Sequence, residues 1–176
     1  MTTPAPASCT LRPEAAADAL AIDTVTRAAF AQAPHSSRTE HFIVGALRAS
    51  GQLAVSLVAE CGSEVVGHVA VSPVTIDGRD VGWYGLGPIS VLPGYQGQGI
   101  GGRLMRAALD GLRARQARGC VLLGEPAYYQ RFGFRAEPRL VLPDVPPGYF
   151  MALALRDDRP LPAGTVAYGA AFDAIG

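Results

Sequence analysis

Residues 96–102 read Gln96-Gly97-Gln98-Gly99-Ile100-Gly101-Gly102, with four glycines in the last six positions, immediately before a helical pattern. These residues have little side-chain chemistry to offer; what they present is main chain. The first turn of a helix leaves its N–H groups without intrahelical acceptors, and the aligned peptide dipoles add roughly half a positive charge at that end. Glycine removes the Cβ that would hold a ligand off the backbone and accepts positive φ where a loop requires it. The chemistry indicated is capture of a phosphate or diphosphate.

Side chains that could act on such a ligand lie on either side. Arg103, nearest the loop, is a cation for a phosphate, with Arg106 one turn on. Tyr128 and Tyr129 are adjacent aromatics near a helix end, where such residues ordinarily pack. Glu125 could act as a base through water, or could simply sit at the positive end of the next helix. His68 stands alone in an apolar run, where a histidine is ordinarily a hydrogen-bonded sheet residue. His35, His41, Phe30 and Phe42 read as helix ends and core aromatics. Cys9, Cys61 and Cys120 are widely spaced with no CxxC pair and no histidine at ligand spacing, so they read as reduced thiols and no metal is expected.

The elements that must position these groups follow from periodicity. Residues 9–12 form a short strand closed by Pro13, and residues 14–32 an alanine-rich helix with Leu20, Ile22, Val25 and Phe30 among its apolar positions. Ser37 and Glu40 have the spacing of a capping box for a second helix ending near Ala49. Residues 53–60, 65–76 and 81–91 are β-rich runs with turn signals between them, an antiparallel meander. After the glycine loop, Leu104, Ala108 and Leu112 recur on one face of a helix over 101–117 and Arg103, Arg106 and Arg113 on another. Residues 120–124 form a buried strand, Pro126 opens a helix that Gly133 ends, and residues 149–155 and 165–168 return to β structure. The fold class is mixed α/β, a partly parallel sheet with helices on its faces.

Residues 1–8 lack a basic region and an apolar core, so they read as a flexible tail before one domain over 9–176. Fifteen arginines and no lysine balance fifteen acidic residues, which argues against nucleic acid or an anionic membrane as partner. No apolar run approaches the roughly 20 residues of a membrane helix, and the expected address is the cytoplasm.

Two function classes compete for the loop. Residues 97–102 also match G-x-G-x-x-G, with Glu125 about 20 residues on, the fingerprint of an NAD-dependent oxidoreductase. Against that, the loop follows an antiparallel meander, Pro93 to Gln96 separates it from its strand, and no further βαβ unit follows.

Gln96, Gly99 and Gly101, preceded by Val91-x-Pro93, resemble the coenzyme A loop of the GNAT superfamily of N-acetyltransferases. The run from Tyr129 to Phe134 is similar to that family's Tyr-x-x-aromatic-Gly-Phe helix end. The resemblance covers roughly residues 10–155 and is closest to a bacterial subgroup with little assigned chemistry. It implies a central, mostly antiparallel sheet of six to seven strands, about four flanking helices, and fourth and fifth strands that splay. It also implies a pantetheine arm between those strands, paired with main chain at Ile89 and Val91, and acetyl-CoA as cosubstrate. Gln96, Gly97, Gln98, Gly99, Ile100, Gly101, Gly102 and Arg103 would bind the coenzyme, and Tyr129 would lie near its sulfur as a phenol able to protonate the leaving thiolate, with Tyr128 as packing. Pro88 suits a bulge in the fourth strand, and Gly85 and Gly87 a close approach by another backbone or a ligand. The fourth strand lacks the glutamate that many relatives carry, which leaves a non-catalytic acetyl-CoA sensor as an alternative. The acceptor would be an amine of a small molecule or peptide, and two copies could associate through terminal strands.

Overall fold

The computed structural model describes residues 8–34 and 36–175, so His35 and residues 1–7 of the expected tail lie outside the described residues. The elements run β1 (Cys9–Pro13), α1 (Ala19–Phe30), α2 (Glu40–Ala49), β2 (Val55–Cys61), β3 (Glu64–Ile76), β4 (Trp83–Val91) and α3 (Ile100–Ala114). They continue as β5 (Gly119–Leu123), α4 (Pro126–Tyr129), β6 (Arg135–Ala136), β7 (Leu140–Val141), β8 (Phe150–Ala154) and β9 (Gly164–Tyr168). Seven strands follow one path, β1-β2-β3-β4-β5-β8-β6, while β9 pairs with the far end of β3 and with β7. The expected six to seven strands therefore become nine among the described residues, because β6 and β7, two residues each, are too short to show a period.

Strand alternation sorts the core into two layers. On one face of the sheet Val55, Ala59, Val69, Val71 and Leu86 pack under Leu104, Met105, Ala108 and Leu112 of α3. On the other, Val58 meets Ile22 of α1 and Val44 of α2, and Ala70 meets Ile43 and Leu47 of α2. The hydrophobic stripe that predicts α3 is thus the seam that fixes the helix over the meander. Truncating a fully enclosed member such as Leu104 to alanine costs about 2–5 kcal/mol.

Three local readings change. Cys9 and Cys61 are cross-strand partners in the β1–β2 ladder, with Cα atoms 4.2 Å apart, and they form a disulfide. The expectation of three reduced thiols is corrected to one, Cys120, which is buried. The helix expected from residue 14 begins with a 3-10 turn at Ala16–Asp18, closed by the Asp18 carboxylate accepting from the Ala15 N–H at 2.7 Å. The expected Ser37 capping box does not form: Thr39 is the N-cap of α2, and Ser36 donates its hydroxyl to Glu40 at 2.8 Å. His41, read as a helix-end residue, is buried.

Among the described residues the sheet has two parallel pairs, and of these β4 with β5 is joined through a helix, α3, as in the doubly wound pattern, while β7 with β9 is not; the next neighbour of β5, β8, is antiparallel. The glycine fingerprint therefore opens a single crossover inside a mostly antiparallel sheet.

Candidate active site

β4 and β5 are paired only from Trp83 with Gly119 to Gly85 with Val121, and beyond Gly85 they have no mutual register. The separation has a local cause. Between Val71–Leu86 and Val69–Ile89 the β3–β4 register slips, placing Gly87 and Pro88 opposite the single residue Ala70. This is a bulge, at a proline that has no N–H to give to a ladder. Gly85, expected to allow a close approach, makes room for the Tyr168 ring of β9, which a Cβ there would overlap.

Past the bulge β4 has one free edge. Leu92 donates to the Val66 carbonyl of β3 at 2.8 Å, and main-chain groups alternate sides along a strand. Ile89 and Val91 therefore turn their N–H and C=O groups away from β3, into the gap that β5 has left. The Val91 carbonyl is taken by the Gln96 side-chain amide at 3.0 Å, which ties the glycine loop to the strand end. A second tie runs from the Tyr95 hydroxyl to the Glu64 carboxylate at 3.2 Å, and a weaker one from the Gln98 amide to the Gly94 carbonyl at 3.4 Å.

The loop then turns into α3 through Gly97 at φ 76° and Gly99, the N-cap, at φ 84°. No Cβ added at either would meet a protein atom within 4 Å. Among the described residues none of the six main-chain N–H groups of residues 97–102 finds an acceptor; the first helical N–H that does is that of Arg103, bonded to Gly99 at 3.1 Å. Six adjacent, unpartnered donors at the positive end of a 15-residue helix are a site for an anion.

They border a cleft of about 590 Å³ between the loop, the free edge of β4 and the helix after β5. Of the predicted coenzyme residues, Ile89, Val91, Gln96, Gly97, Gly99, Ile100, Gly101 and Gly102 line it, while Gln98 and the exposed Arg103 do not. Its cations are Arg106, over the Phe132 ring at 5.2 Å, and Arg131, over the Tyr128 ring at 4.5 Å. Neither is in an ion pair among the described residues, so both are open to an anion.

The two tyrosines divide differently from the sequence reading. Tyr128, read as packing, lines the cleft, with its hydroxyl 3.5 Å from where a Gly101 Cβ would stand. Tyr129 lies behind it, edge-on at 4.9 Å, with its ring laid on Gly124, where no side chain would fit beside it. Burial first, and Tyr128 second, raise the Tyr129 phenol above its ordinary range, so it stays protonated. Its hydroxyl has no partner among the described residues. Helix phase decides which of two adjacent tyrosines faces a cleft, and a four-residue helix is too short to show it.

Glu125 is exposed and is the N-cap of α4; its carbonyl accepts from Tyr128 and Tyr129 at 3.0 and 3.2 Å, and its carboxylate makes no capping bond. His68 is enclosed, 2.7 Å from the Ser56 hydroxyl, and burial lowers its imidazole to about 4. It does not line the cleft. Ser90, also a cleft residue, is buried 3.5 Å from Thr26 of α1, a contact that no sequence period announces.

Comparison with known proteins places this geometry. The family model described as an acetyltransferase (GNAT) domain matches residues 52–136. A curated relative, the uncharacterized N-acetyltransferase YhbS of Escherichia coli (strain K12), is 39% identical over 125 residues, covering 70% of this chain and 72% of that one. Among solved structures, a GNAT family acetyltransferase from Brucella melitensis in complex with acetyl-CoA is 50% identical, with a TM-score of 0.85, covering 95% of this chain and 99% of that one. Escherichia coli YhbS in complex with CoA is 34% identical, with a TM-score of 0.87, covering 100% and 97%. Sharing identity along most of these chains, with the glycine loop at a helix start and the parted β4–β5 pair as its own geometry, the protein belongs to the GNAT family of N-acetyltransferases.

Proposed function

We propose that the protein transfers the acetyl group of acetyl-CoA directly to the amine of a small molecule or peptide while both are bound. The observation that carries this is the row of six unpartnered N–H groups over residues 97–102, beside the free edge of β4. The residues fit the coenzyme: Gly97 and Gly99 both line the cleft, and no protein atom lies within 4 Å of where a Cβ on either would stand. The loop would hold the diphosphate, with Arg106 and Arg131, and Arg103 from its exposed position, for the remaining phosphate charge. The pantetheine amides would complete the edge of β4 at Ile89 and Val91, setting the thioester in the gap.

Transfer needs three events at that point. The deprotonated amine attacks the thioester carbonyl; the C–S bond breaks; the departing thiolate takes a proton. Tyr129, protonated, without a partner among the described residues and set on Gly124 where β5 ends, would donate from behind Tyr128, and solvent would restore its proton. Among the described residues no carboxylate or imidazole lines the cleft, so the amine's surplus proton leaves through water, with the exposed Glu125 at the start of α4 as its acceptor. The place of work is the cytoplasm.

Calorimetry with acetyl-CoA and with NAD, followed by a thiol-release assay against a panel of amines, tests this. Saturable acetyl-CoA binding and amine-dependent release of free thiol are expected. Binding of NAD alone overturns the reading, and acetyl-CoA binding with no thiol release across the panel makes the protein a sensor.

A further inference from the structure

The end of the sheet remote from the coenzyme cleft holds a second cavity, of about 320 Å³. Trp83 opens β4, Arg118 precedes β5 and Ala154 closes β8; the ladders set Trp83 beside Gly119 and Gly119 beside Ala154, so three strand ends meet there. The chain after β8 folds back over them. Eight residue steps along β4 separate Trp83 from Val91, about 26 Å at the rise of an extended strand, so the two cavities are separate. The volume lies at the lower end of the roughly 300–1,000 Å³ of small-molecule sites.

Its walls are carbon and its mouth is cationic. Val81, Trp83, Leu161 and two prolines supply the apolar surface, and Arg118, Arg156 and Arg159 the charge. Arg156 is committed to Asp158 at 2.9 Å and to Gln116 at 3.4 Å. Arg118 is different. It is one of three half-buried arginines among the described residues, and the other two are bound to carboxylates, Arg12 to Asp18 and Glu60, Arg48 to Glu14. Arg118 has no side-chain hydrogen bond or ion pair among those residues, nor has Arg159. Arg118 thus lines the cavity half-buried and with no acceptor among the described residues, which leaves its guanidinium free for an anion that enters there.

Arg118 is also held in place. Its N–H donates to Gly82 at 2.8 Å, its carbonyl accepts from Leu155 at 2.9 Å, and its stem lies on Gly82, where a Cβ would stand 3.3 Å from its Cγ and Cδ. The guanidinium is therefore positioned before any ligand arrives.

We propose that this cavity binds a small organic carboxylate on an apolar body of about the size of a six-membered ring. The carboxylate would sit on Arg118 with Arg159 closing over it, and the body would rest against Trp83. Guanidinium and carboxylate match as a two-point fork. Asp158 at the mouth disfavours a dianion, which distinguishes this ligand from a phosphate, and the arginines exclude an amine. The site stands independently of acetyl transfer.

Trp83 is the one tryptophan of the chain, so its fluorescence reports the cavity directly. The full protein is titrated with cyclohexanecarboxylate, with the neutral cyclohexanemethanol and with inorganic phosphate, by fluorescence and by calorimetry, without and with saturating coenzyme A. Cyclohexanecarboxylate should give a saturable change with one affinity by both methods, unaltered by coenzyme A. The alcohol should bind at least about tenfold more weakly, as should the carboxylate to Arg118→Met, which keeps the stem on Gly82 and removes the charge. Arg159→Ala, on the exposed rim, should weaken binding several-fold without touching the fold. No saturable signal, equal affinity for the alcohol, tighter binding of phosphate, displacement by coenzyme A, or unchanged affinity in the arginine variants overturns the proposal.

Discussion

Replacing Gly99 by alanine sets the coenzyme cradle against the stability of the fold. Gly99 is the N-cap of α3 at φ 84°, and a Cβ there would have no protein atom within 4 Å. The folded chain loses only what a left-handed backbone costs a residue with a Cβ, about 1 kcal/mol, which at this size lowers Tm by about 2–4 °C. Gly78, in the turn between β3 and β4, has φ 76° and equally open surroundings, so Gly78→Ala should cost the fold the same. Of the two, only Gly99 lines the cleft proposed for the coenzyme. A main-chain N–H to a phosphate oxygen is charge-assisted, and losing one such bond costs about 2 kcal/mol, roughly 30-fold in Kd. Thermal denaturation and calorimetric titration with coenzyme A on the two variants give both numbers. Equal losses of Tm with a 30-fold weaker Kd in Gly99→Ala alone is the expected result. An unchanged Kd in Gly99→Ala, or an equal loss of affinity in both variants, refutes the assignment of the diphosphate to this loop.

Tyr129→Phe should lower kcat about 100-fold at unchanged KM for acetyl-CoA, whereas Tyr128→Phe should act mainly on KM; steady-state kinetics showing wild-type turnover in Tyr129→Phe removes it from the mechanism. His68 is neutral in the fold, with an imidazole lowered to about 4 by burial, with Arg48 adding to the lowering and Glu14 and Asp18 opposing it, while the unfolded chain titrates near the ordinary 6.5. The unfolded state therefore takes up a proton first as pH falls: stability is complete above 6.5, declines toward 4, and loses about 3 kcal/mol in all, a slope that urea denaturation should find weakened in His68→Gln. Alkylation of the unfolded, unreduced protein should modify Cys120 alone, and reduction of the bond spanning 52 residues should lower the unfolding free energy by about 2–4 kcal/mol in the same assay.

Main-chain chemistry is the part of this site that a sequence states openly. Glycine has one common reason to crowd a helix start after a strand, and eight of the ten residues expected to hold the coenzyme line one cleft. The strands and helices that carry the loop are long enough to display their periods. What stayed hidden depends on a phase or register that no local pattern contains. Cys9 and Cys61 lie 52 residues apart and meet only because β1 pairs with β2 in one register; a slip of one residue would place them on opposite faces. Tyr128 and Tyr129 differ by one step of a single helical turn. Ser36 rather than Ser37 reaches Glu40 because Arg38, at φ 60°, redirects the chain between them.

The cleft is better understood as a consequence of where one ladder stops than as a property of the loop alone. β4 and β5 must be parallel for α3 to cross between them, and a parallel pair of that kind would ordinarily continue to the strand ends. Here it ends after three residue pairs. The bulge at Gly87 and Pro88 re-aims the rest of β4, so that Ile89 and Val91 offer main-chain groups to a gap and not to a neighbour. The same bulge leaves the β3 side intact, since Leu92 still donates to Val66. Filling Pro88 with a residue that can donate would not by itself close the gap, because β5 ends at Leu123 and turns at Gly124, under the Tyr129 ring. The open edge is thus fixed from both strands at once. An extended chain with amide groups, ending in a diphosphate, is the ligand whose shape matches an unpaired strand edge leading into a row of free N–H groups.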